Sequence, residues 1–218
     1  MVAALKNRVA APKKGVAGLK KTVAAAGFAV AAFCLASVPG DRAQAAAGGG
    51  DNLCRSAVVR AAERLGIPPG LLVGIALTES GRTWRGRWMA WPWSINVDGL
   101  SLYFDDAGQA AAAVRRLGRS GASNIDVGCL QVSLRWWSHS FETVEQALDP
   151  ETNAWVAGRV LIWLHSEHGT WDAAVAAYHA GKPGRPIGRR YLCKVYGQMM
   201  REATGRTEPH PRCGDVKR

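Results

Sequence analysis

The sequence predicts a single globular domain that is all-α, or α+β with at most a small β element, with about six to eight helices. Two observations predict this class. Apolar residues recur at spacings of three and four along most of the chain, whereas no run alternates convincingly with a period of two. In addition, Asp, Thr or Pro precede several apolar stretches and glycine follows them, which is the usual pattern of helix starts and stops.

Six helices can be placed from these signals, and turn-rich stretches separate them. The segment from Gly81 to Leu102 carries four tryptophans and is expected to form a long structured loop or a small strand pair. The stretch SGASNIDVGCLQVS, residues 120–133, is expected to be a further turn-rich connection. The expected helices are Cys54–Leu65 stopped by Gly66, one started by Pro68 and Pro69 that carries Glu79, one capped by Asp105 or Asp106 and ending at Gly118, one capped by Asp149 and running from Pro150 to His168, one capped by Thr170 and closed by Gly181, and one from about Arg189 to Ala203.

The N-terminal segment has the pattern of a cleavable signal peptide. The first 45 positions hold seven Lys and Arg and one acidic residue around an apolar run, Thr22 to Val38, that precedes Ala43-Gln44-Ala45. An uncleaved N-terminal anchor is the alternative, although the run is short for a membrane span. We therefore expect a signal peptide at residues 1–45, a flexible linker at 46–53, the folded domain at 54–204 and a polar basic tail at 205–218.

Export changes what the charge implies. Outside the N-terminal segment 21 Lys and Arg stand against 16 Asp and Glu, so the formal net charge falls from +11 to +5. Such a surface suits a polyanionic wall or matrix about as well as nucleic acid, and export makes nucleic acid an improbable partner. The remaining chain, about 170 residues, is long enough for one well-buried core.

The cysteines predict disulfides and no metal site. Cys54, Cys129, Cys193 and Cys213 remain after cleavage, an even number in a chain that enters an oxidising compartment. Two disulfides are expected, and three pairings are open; a free Cys129 in the core is the alternative. No C-x-x-C spacing is present, so zinc is disfavoured, and no cofactor is expected.

Glu79 is the first candidate for chemistry. Leu72, Ile75, Ala76 and Glu79 share one face of a helix, so the carboxyl continues an apolar stripe. Burial raises the pKa of a carboxyl toward the range that suits a general acid. The alternative is that the helix ends before Gly81 and that Glu79 leans into water.

Three segments together resemble the signature motifs of the family 1 lytic transglycosylases, whose fold is similar to goose-type lysozyme. The E-S pair of that family corresponds to Glu79-Ser80, its G-L-M-Q to Gly128–Gln131, and its A-Y-N-A-G to Ala177–Gly181. Two positions depart from the pattern, since Leu130 replaces methionine and His179 replaces asparagine. The resemblance extends over residues 54–197. The pieces WPWSINVDG and NIDVGCLQ are similar to the branch of the family that serves secretion, conjugation or flagellar assembly.

The resemblance implies a periplasmic enzyme that cleaves peptidoglycan between N-acetylmuramic acid and N-acetylglucosamine. Glu79 would protonate the glycosidic oxygen and then act as base toward the muramic acid 6-hydroxyl, which closes a 1,6-anhydro ring without water. A secretion, conjugation or flagellar apparatus is a possible partner. Tyr178 is expected near Glu79 with its hydroxyl on the carboxyl, and His179 is expected to be exposed. The residues implied in substrate binding are Ser80, Asn96, Gly128, Gln131, Tyr178 and His179.

Two other functions stay open from the residues alone. A muramidase of the same fold would need a second carboxylate, for which Asp98 and Asp126 are the candidates. A non-catalytic scaffold that binds glycan for a secretion or flagellar machine is the other, although it would gain nothing from burying Glu79.

Several residues also have structural alternatives. Trp93 either contacts sugar or packs in the core, Asn96 either binds an N-acetyl group or holds its own turn, and Gln131 is either a ligand or a buried amide satisfied by loop backbone. His165 and His168 at the end of a helix are better explained by the helix C-terminus than by metal.

Overall fold

A computed structural model describes the chain at residues 50–206 and at Cys213, with side chains described from Leu53 onward. The predicted signal peptide, the first part of the predicted linker and most of the predicted tail lie outside the described residues. The first helix begins at Gly50, so the last four positions of the predicted linker, 50–53, are helical. No helix within the described residues is long and apolar enough to cross a bilayer.

Eight α-helices form most of the described part of the chain. The helix starts expected at Asp106, Asp149 and Thr170 are confirmed, since each side chain accepts a hydrogen bond from a backbone N–H of the first turn. The helices are α1 (Gly50–Leu65), α2 (Leu71–Glu79), α3 (Ala107–Arg119), α4 (Leu134–Trp137), α5 (Val144–Leu148), α6 (Pro150–His168), α7 (Trp171–Ala180) and α8 (Pro186–Thr204), with a short 3-10 helix at Ser138–Ser140.

Besides α1, two helix starts differ from expectation. Helix α2 begins after Gly70 because Pro68 and Pro69 lie in the preceding turn, where the Leu71 N–H donates to the Pro68 carbonyl. The left-handed conformation of Gly70, with φ +78°, separates that turn from the helix. Helix α8 begins at Pro186, earlier than Arg189, because proline fits the first helical turn.

The β content is larger than the sequence predicted. Strands β1 (Gly81–Trp84) and β2 (Arg87–Ala90) form a hairpin, and β3 (Ser94–Val97), β4 (Leu100–Tyr103), β5 (Ile125–Val127) and β6 (Val132–Ser133) form an antiparallel sheet in the order β4-β3-β5-β6. Strands of two to four residues are too short to show a period of two, which explains why the alternation was not visible. The fold is therefore a mostly helical α+β domain.

Two-residue turns close both hairpins. Arg85-Gly86 joins β1 to β2 and Asp98-Gly99 joins β3 to β4, with positive φ at all four residues. Positive φ at both central positions is the requirement of the turn whose twist matches a hairpin. The dipeptides Arg-Gly and Asp-Gly are thus the local signal for these strands.

The buried residues form two clusters. One lies among α1, α2, α6, α7 and α8, with α1 packed on α6, α2 on α8, and α7 on both α6 and α8. The other lies between the four-stranded sheet and the helices α3 and α5. Glu79 is contributed by the first group of elements and Asp126 by the sheet, so the candidate site draws on both.

Two disulfides are present, as expected. Cys54 of α1 is bonded to Cys129 in the loop after β5, and Cys193 of α8 is bonded to Cys213. The alternative of a free Cys129 is therefore wrong. The first bond ties the loop of the second motif to α1, so it fixes one wall of the site described next.

Candidate active site

An open cleft of about 420 Å³ lies where the three motifs meet. Glu79, Gln131, Tyr178 and His179 all line it, although they come from α2, the loop before β6, and α7. The structure thus brings together four of the seven predicted site residues. Ser80, Asn96 and Gly128 do not line the cleft.

Glu79 is the last residue of α2 and its carboxyl faces the cleft. Every residue of α2 from Leu71 to Leu77 is buried, so the helix is enclosed on all sides and not only along the predicted stripe. The helix ends at Glu79, as the alternative held, but the side chain remains partly buried. An apolar helix therefore delivers one carboxyl to the wall of the cleft.

The environment of Glu79 keeps part of the carboxyl protonated near neutral pH. The pKa of Glu79 is raised to about 7, chiefly by burial and also by the negative charge of Asp126. Two groups act in the other direction: the Tyr191 hydroxyl donates a hydrogen bond of 2.6 Å to Oε1, and the charge of Lys194 favours the ionised form. The carboxyl is therefore balanced between its two protonation states.

The Tyr178 hydroxyl does not make the predicted hydrogen bond to the Glu79 carboxyl. Its hydroxyl donates to the Leu130 carbonyl at 2.8 Å, whereas Tyr191 of α8 holds the Glu79 carboxyl. Sequence reasoning missed Tyr191 because it is 112 residues from Glu79, outside the three motifs. Tyr178 still lies close enough for the charge of Glu79 to raise the pKa of its phenol, together with burial, which is the larger cause. Its hydrogen bond holds the loop that carries Gln131.

The Gln131 amide is satisfied by the protein itself, as the structural alternative held, and its predicted contact with substrate stays a prediction. Its Nε2 donates to the Gly128 carbonyl at 2.9 Å and to Ser94 Oγ at 3.0 Å, so loop and strand atoms satisfy the amide nitrogen. The residue nevertheless lines the cleft, and its backbone has a φ of +46°. Such a conformation is uncommon outside glycine and is maintained only where the surroundings enforce it.

Ser80 and Gly128 support the site from behind. Ser80 is 1% exposed, and its hydroxyl donates to the Cys129 carbonyl at 2.7 Å, which joins the end of α2 to the loop. Gly128 is buried with a φ of +82°, and a β-carbon there would lie 2.4 Å from Nδ2 of Asn153. Neither residue lines the cleft, so the structure gives both a supporting place behind it, and their contact with substrate stays a prediction.

Asn153 organises the same loop from α6 and was not predicted. It is fully buried, its Nδ2 donates to the carbonyls of Val127 and Ala147 at 2.9 Å, and its Oδ1 accepts from the Leu130 N–H at 3.0 Å. A buried side-chain amide whose hydrogen bonds are made fixes a loop strongly, because breaking one bond leaves a buried polar group unsatisfied.

The hairpin residues lie outside the cleft lining. The Asn96 side chain closes its own turn, with Oδ1 accepting from the Gly99 N–H at 3.0 Å, so the structural alternative applies. Asp98 is exposed at the tip of that turn. Trp93 packs partly buried against the sheet cluster, which supports its core alternative.

Asp126 is the candidate second carboxylate that reaches the cleft. It lies on β5 and lines the same cavity as Glu79. Burial raises the pKa of Asp126, and a hydrogen bond with Ser133 opposes the rise. Asp98 and Asp126 look alike in sequence, and only the register of β3 and β5 separates them.

Aromatic side chains form a further part of the cleft wall, and sequence reasoning missed them. Trp136 is 55% exposed, and Trp137 and Trp163 pack with their ring centroids 6.4 Å apart. All three line the cleft with His139. The signal was the stretch RWWSH directly after the second motif. Exposed tryptophan faces are suited to the apolar faces of sugar rings.

His179 is exposed, as predicted, but it also has a ring partner. Its imidazole stacks on the Tyr191 ring with centroids 4.6 Å apart and an interplanar angle of 6°. Burial lowers the pKa of His179, and the charge of Lys194 lowers it further. The neutral imidazole is therefore favoured at neutral pH.

The described residues contain no group of three or more His, Cys, Asp or Glu side chains arranged to hold a metal ion. His165 stacks on Trp171, with centroids 4.0 Å apart. Glu79 and Asp126 are the carboxyl groups that line the cleft.

Comparisons of the chain with protein-family models, with curated proteins and with solved structures return no match. The resemblance to lytic transglycosylases thus rests on the three motifs alone.

Proposed function

We propose that this protein is a lytic transglycosylase of peptidoglycan, a glycan-cleaving lyase in which Glu79 serves as the single acid and base. The observation that carries the proposal is the Glu79 carboxyl itself: it is delivered by a buried apolar helix to an open cleft, with a pKa raised to about 7. A group with that pKa can both donate and accept a proton at neutral pH.

The first step is cleavage of the bond between N-acetylmuramic acid and N-acetylglucosamine. Protonated Glu79 donates its proton to the glycosidic oxygen, so the departing sugar leaves as an alcohol while positive charge develops at the anomeric carbon. The ionised Glu79 that results is stabilised by the hydrogen bond from Tyr191 and by the charge of Lys194. These two interactions strengthen as the carboxyl ionises, which is when they lower the barrier.

The second step uses the same carboxylate as a base. It takes the proton of the muramic acid 6-hydroxyl, whose oxygen attacks the anomeric carbon and closes the 1,6-anhydro ring. Glu79 is protonated again, and no water is consumed. One carboxyl of intermediate pKa is sufficient for both steps. Glu79, whose pKa is raised to about 7, is such a carboxyl.

The aromatic wall supports a carbohydrate substrate. Trp136, Trp137 and Trp163 all line the cleft, and Trp136 is 55% exposed. Aromatic side chains present large apolar surfaces, on which the C–H faces of sugar rings can pack. The two disulfides fit an exported protein, and the proposed location is the periplasm, where a secretion, conjugation or flagellar machine would use a local opening of the wall.

A hydrolytic muramidase is the second candidate, and Asp126 favours it. This carboxyl lines the cleft and interacts electrostatically with Glu79, as a residue that activates water would. The hydrogen bond with Ser133 engages this carboxyl within the sheet, so a structural use of Asp126 competes with the catalytic one.

The test is mass spectrometry of the soluble fragments that the purified protein releases from peptidoglycan. The wild type is compared with Glu79→Gln, which keeps size and hydrogen bonding, and with Glu167→Gln, an exposed glutamate of α6 outside the cleft. We expect 1,6-anhydromuramic ends from the wild type and Glu167→Gln, and none from Glu79→Gln. Reducing ends would instead establish the muramidase, and fragments that persist with Glu79→Gln would refute both.

A further inference from the structure

The rings of His179 and Tyr191 lie face to face, and this contact connects the third motif to Glu79. The centroids are 4.6 Å apart and the planes differ by 6°. Tyr191 is 4% exposed, whereas His179 is exposed and lines the cleft. We propose that the imidazole of His179 is a positioning group for the Glu79 carboxyl, acting through the Tyr191 ring on which it stacks.

The geometry gives the imidazole a mechanical role. The Tyr191 hydroxyl must stay 2.6 Å from Oε1 of Glu79, and a tilt of the phenol toward the open cleft would lengthen that hydrogen bond. A flat ring against the face of the phenol blocks this tilt. Because hydrogen bonds weaken steeply with distance and angle, a small displacement of the ring is sufficient to lose much of the interaction.

The charged and titratable groups of this cluster come from four elements. Tyr191 and Lys194 of α8 act on the imidazole directly, and Glu79 of α2, Asp126 of β5 and Tyr178 of α7 interact with Tyr191 or with one another. Burial and Lys194 both favour neutral His179, so the contact with Tyr191 is a stack of two uncharged rings near neutral pH. A test must therefore separate the ring from the charge that it gains in acid.

Two substitutions make this separation. His179→Phe removes the titrating group and keeps a flat ring, whereas His179→Ala removes both. The control is His165→Ala, which removes a similar stack of an imidazole on Trp171 outside the cleft lining. Tyr191→Phe and the double variant His179→Ala/Tyr191→Phe complete a cycle that measures whether the two residues act through each other.

The measurement is a carbon-13 NMR titration of the Glu79 side-chain carboxyl in the intact protein. The Tyr191 hydrogen bond favours the ionised form, so loosening it raises the midpoint. We expect His179→Ala to raise the midpoint by up to about one pH unit, and no more than Tyr191→Phe does. His179→Phe and His165→Ala are expected to stay within about 0.3 of the wild type, and His179→Ala is expected to add nothing once Tyr191 is Phe.

Three results would overturn the proposal. Equal shifts for His179→Ala and His179→Phe would show that charge acts and not the ring. A lowered midpoint for His179→Ala would show that the imidazole merely excludes water. A full effect of His179→Ala in the Tyr191→Phe background would show that Tyr191 is not the intermediary.

The catalytic meaning of this inference rests on the proposed function, but the titration does not. In fragment-release assays His179→Ala is expected to lower kcat with little change in KM, and the control His165→Ala to keep both. A wild type that releases no fragments, combined with the titration pattern given above, would refute the enzyme and leave the positioning of Glu79 by His179 intact.

Discussion

The Tyr191 hydroxyl donates a hydrogen bond of 2.6 Å to the Glu79 carboxyl, joining residues 112 positions apart. Tyr191 is buried in α8, and Glu79 ends α2, which packs against α8. Burial alone favours the neutral acid, and this hydrogen bond favours the ionised one. The contact therefore adjusts the acidity of the group on which the proposed reaction depends.

Tyr191→Phe is expected to raise the pKa of Glu79 by about one pH unit, because the bond it removes favours the charged carboxylate. Since the acid must be protonated for the first step, activity should persist to higher pH, while kcat at the optimum falls about tenfold through weaker stabilisation of the ionised form. The measurement is the pH profile of fragment release. The control is Tyr196→Phe, which removes another α8 hydroxyl that donates to a carboxylate, that of Asp172.

Asp126→Asn is expected to lower the pKa of Glu79, which is the opposite of the effect of Tyr191→Phe. The negative charge of Asp126 raises the pKa of Glu79, so its removal should lower that pKa and move the upper pH limit of activity downward. A transglycosylase keeps its anhydro products in this variant. Complete loss of turnover at every pH, with the fold intact, would identify Asp126 as a second catalytic group and favour the muramidase.

Glu79→Gln is expected to be more stable than the wild type, and this difference in stability should grow as the pH rises. A carboxyl whose folded pKa is raised contributes stability that is present below its unfolded pKa and lost as the pH rises through the folded pKa. For Glu79 the window runs from about 4.5 to about 7. Glu79→Gln should therefore gain up to about 3 kcal/mol over the wild type between pH 4 and pH 8.

Urea unfolding at both pH values measures this gain. Glu167→Gln, an exposed substitution of the same kind, is the control and should give a difference near zero at both. A gain that does not grow with pH would mean that Glu79 titrates as an ordinary surface carboxyl.

Trp136→Ala is expected to weaken substrate binding more than chemistry. The side chain is 55% exposed and lines the cleft, so its loss removes a ring face without opening the core. We expect KM for glycan fragments to rise about fivefold to tenfold with kcat nearly unchanged. Leu100→Ala, which removes an exposed apolar side chain outside the cleft lining, serves as the control. An unchanged KM would remove the aromatic wall from the substrate path.

Gly128→Ala is expected to destabilise the protein by about 3 kcal/mol, whereas Gly184→Ala should cost about 1 kcal/mol. The two glycines have nearly the same backbone, with φ +82° and +84°, but only at Gly128 would the new methyl group meet Asn153, at 2.4 Å. Thermal unfolding of both variants separates the clash from the backbone strain. Equal losses would mean that Asn153 moves away freely.

Structural features that depend on neighbouring residues could be predicted from the sequence, whereas contacts between distant residues could not. The caps at Asp149 and Thr170 were predictable because a cap involves neighbours three residues away. Glu79 was predictable as a candidate because the eight residues that precede it in the same helix are mostly apolar. For the hairpins the sequence left a loop and a small strand pair open between Gly81 and Leu102, because strands of four residues are too short to show a period.

Contacts between elements distant in the chain could not be predicted. Asp98 and Asp126 have similar turn-rich contexts, and only strand pairing places one at a turn tip and the other in the cleft. Tyr178 was assigned the hydrogen bond that Tyr191 makes, because the motif drew attention to one tyrosine while helix packing selected the other. The disulfide pairing could not be predicted either, because four cysteines allow three pairings.

Digestion of peptidoglycan in water enriched with oxygen-18 separates intramolecular ring closure from hydrolysis. If the muramic acid 6-hydroxyl attacks the anomeric carbon, the released fragments end in 1,6-anhydromuramic acid and carry no heavy oxygen. We predict this result for the wild type, and no fragments from Glu79→Gln. Reducing ends labelled with heavy oxygen would contradict the mechanism, because they would show that water is the nucleophile.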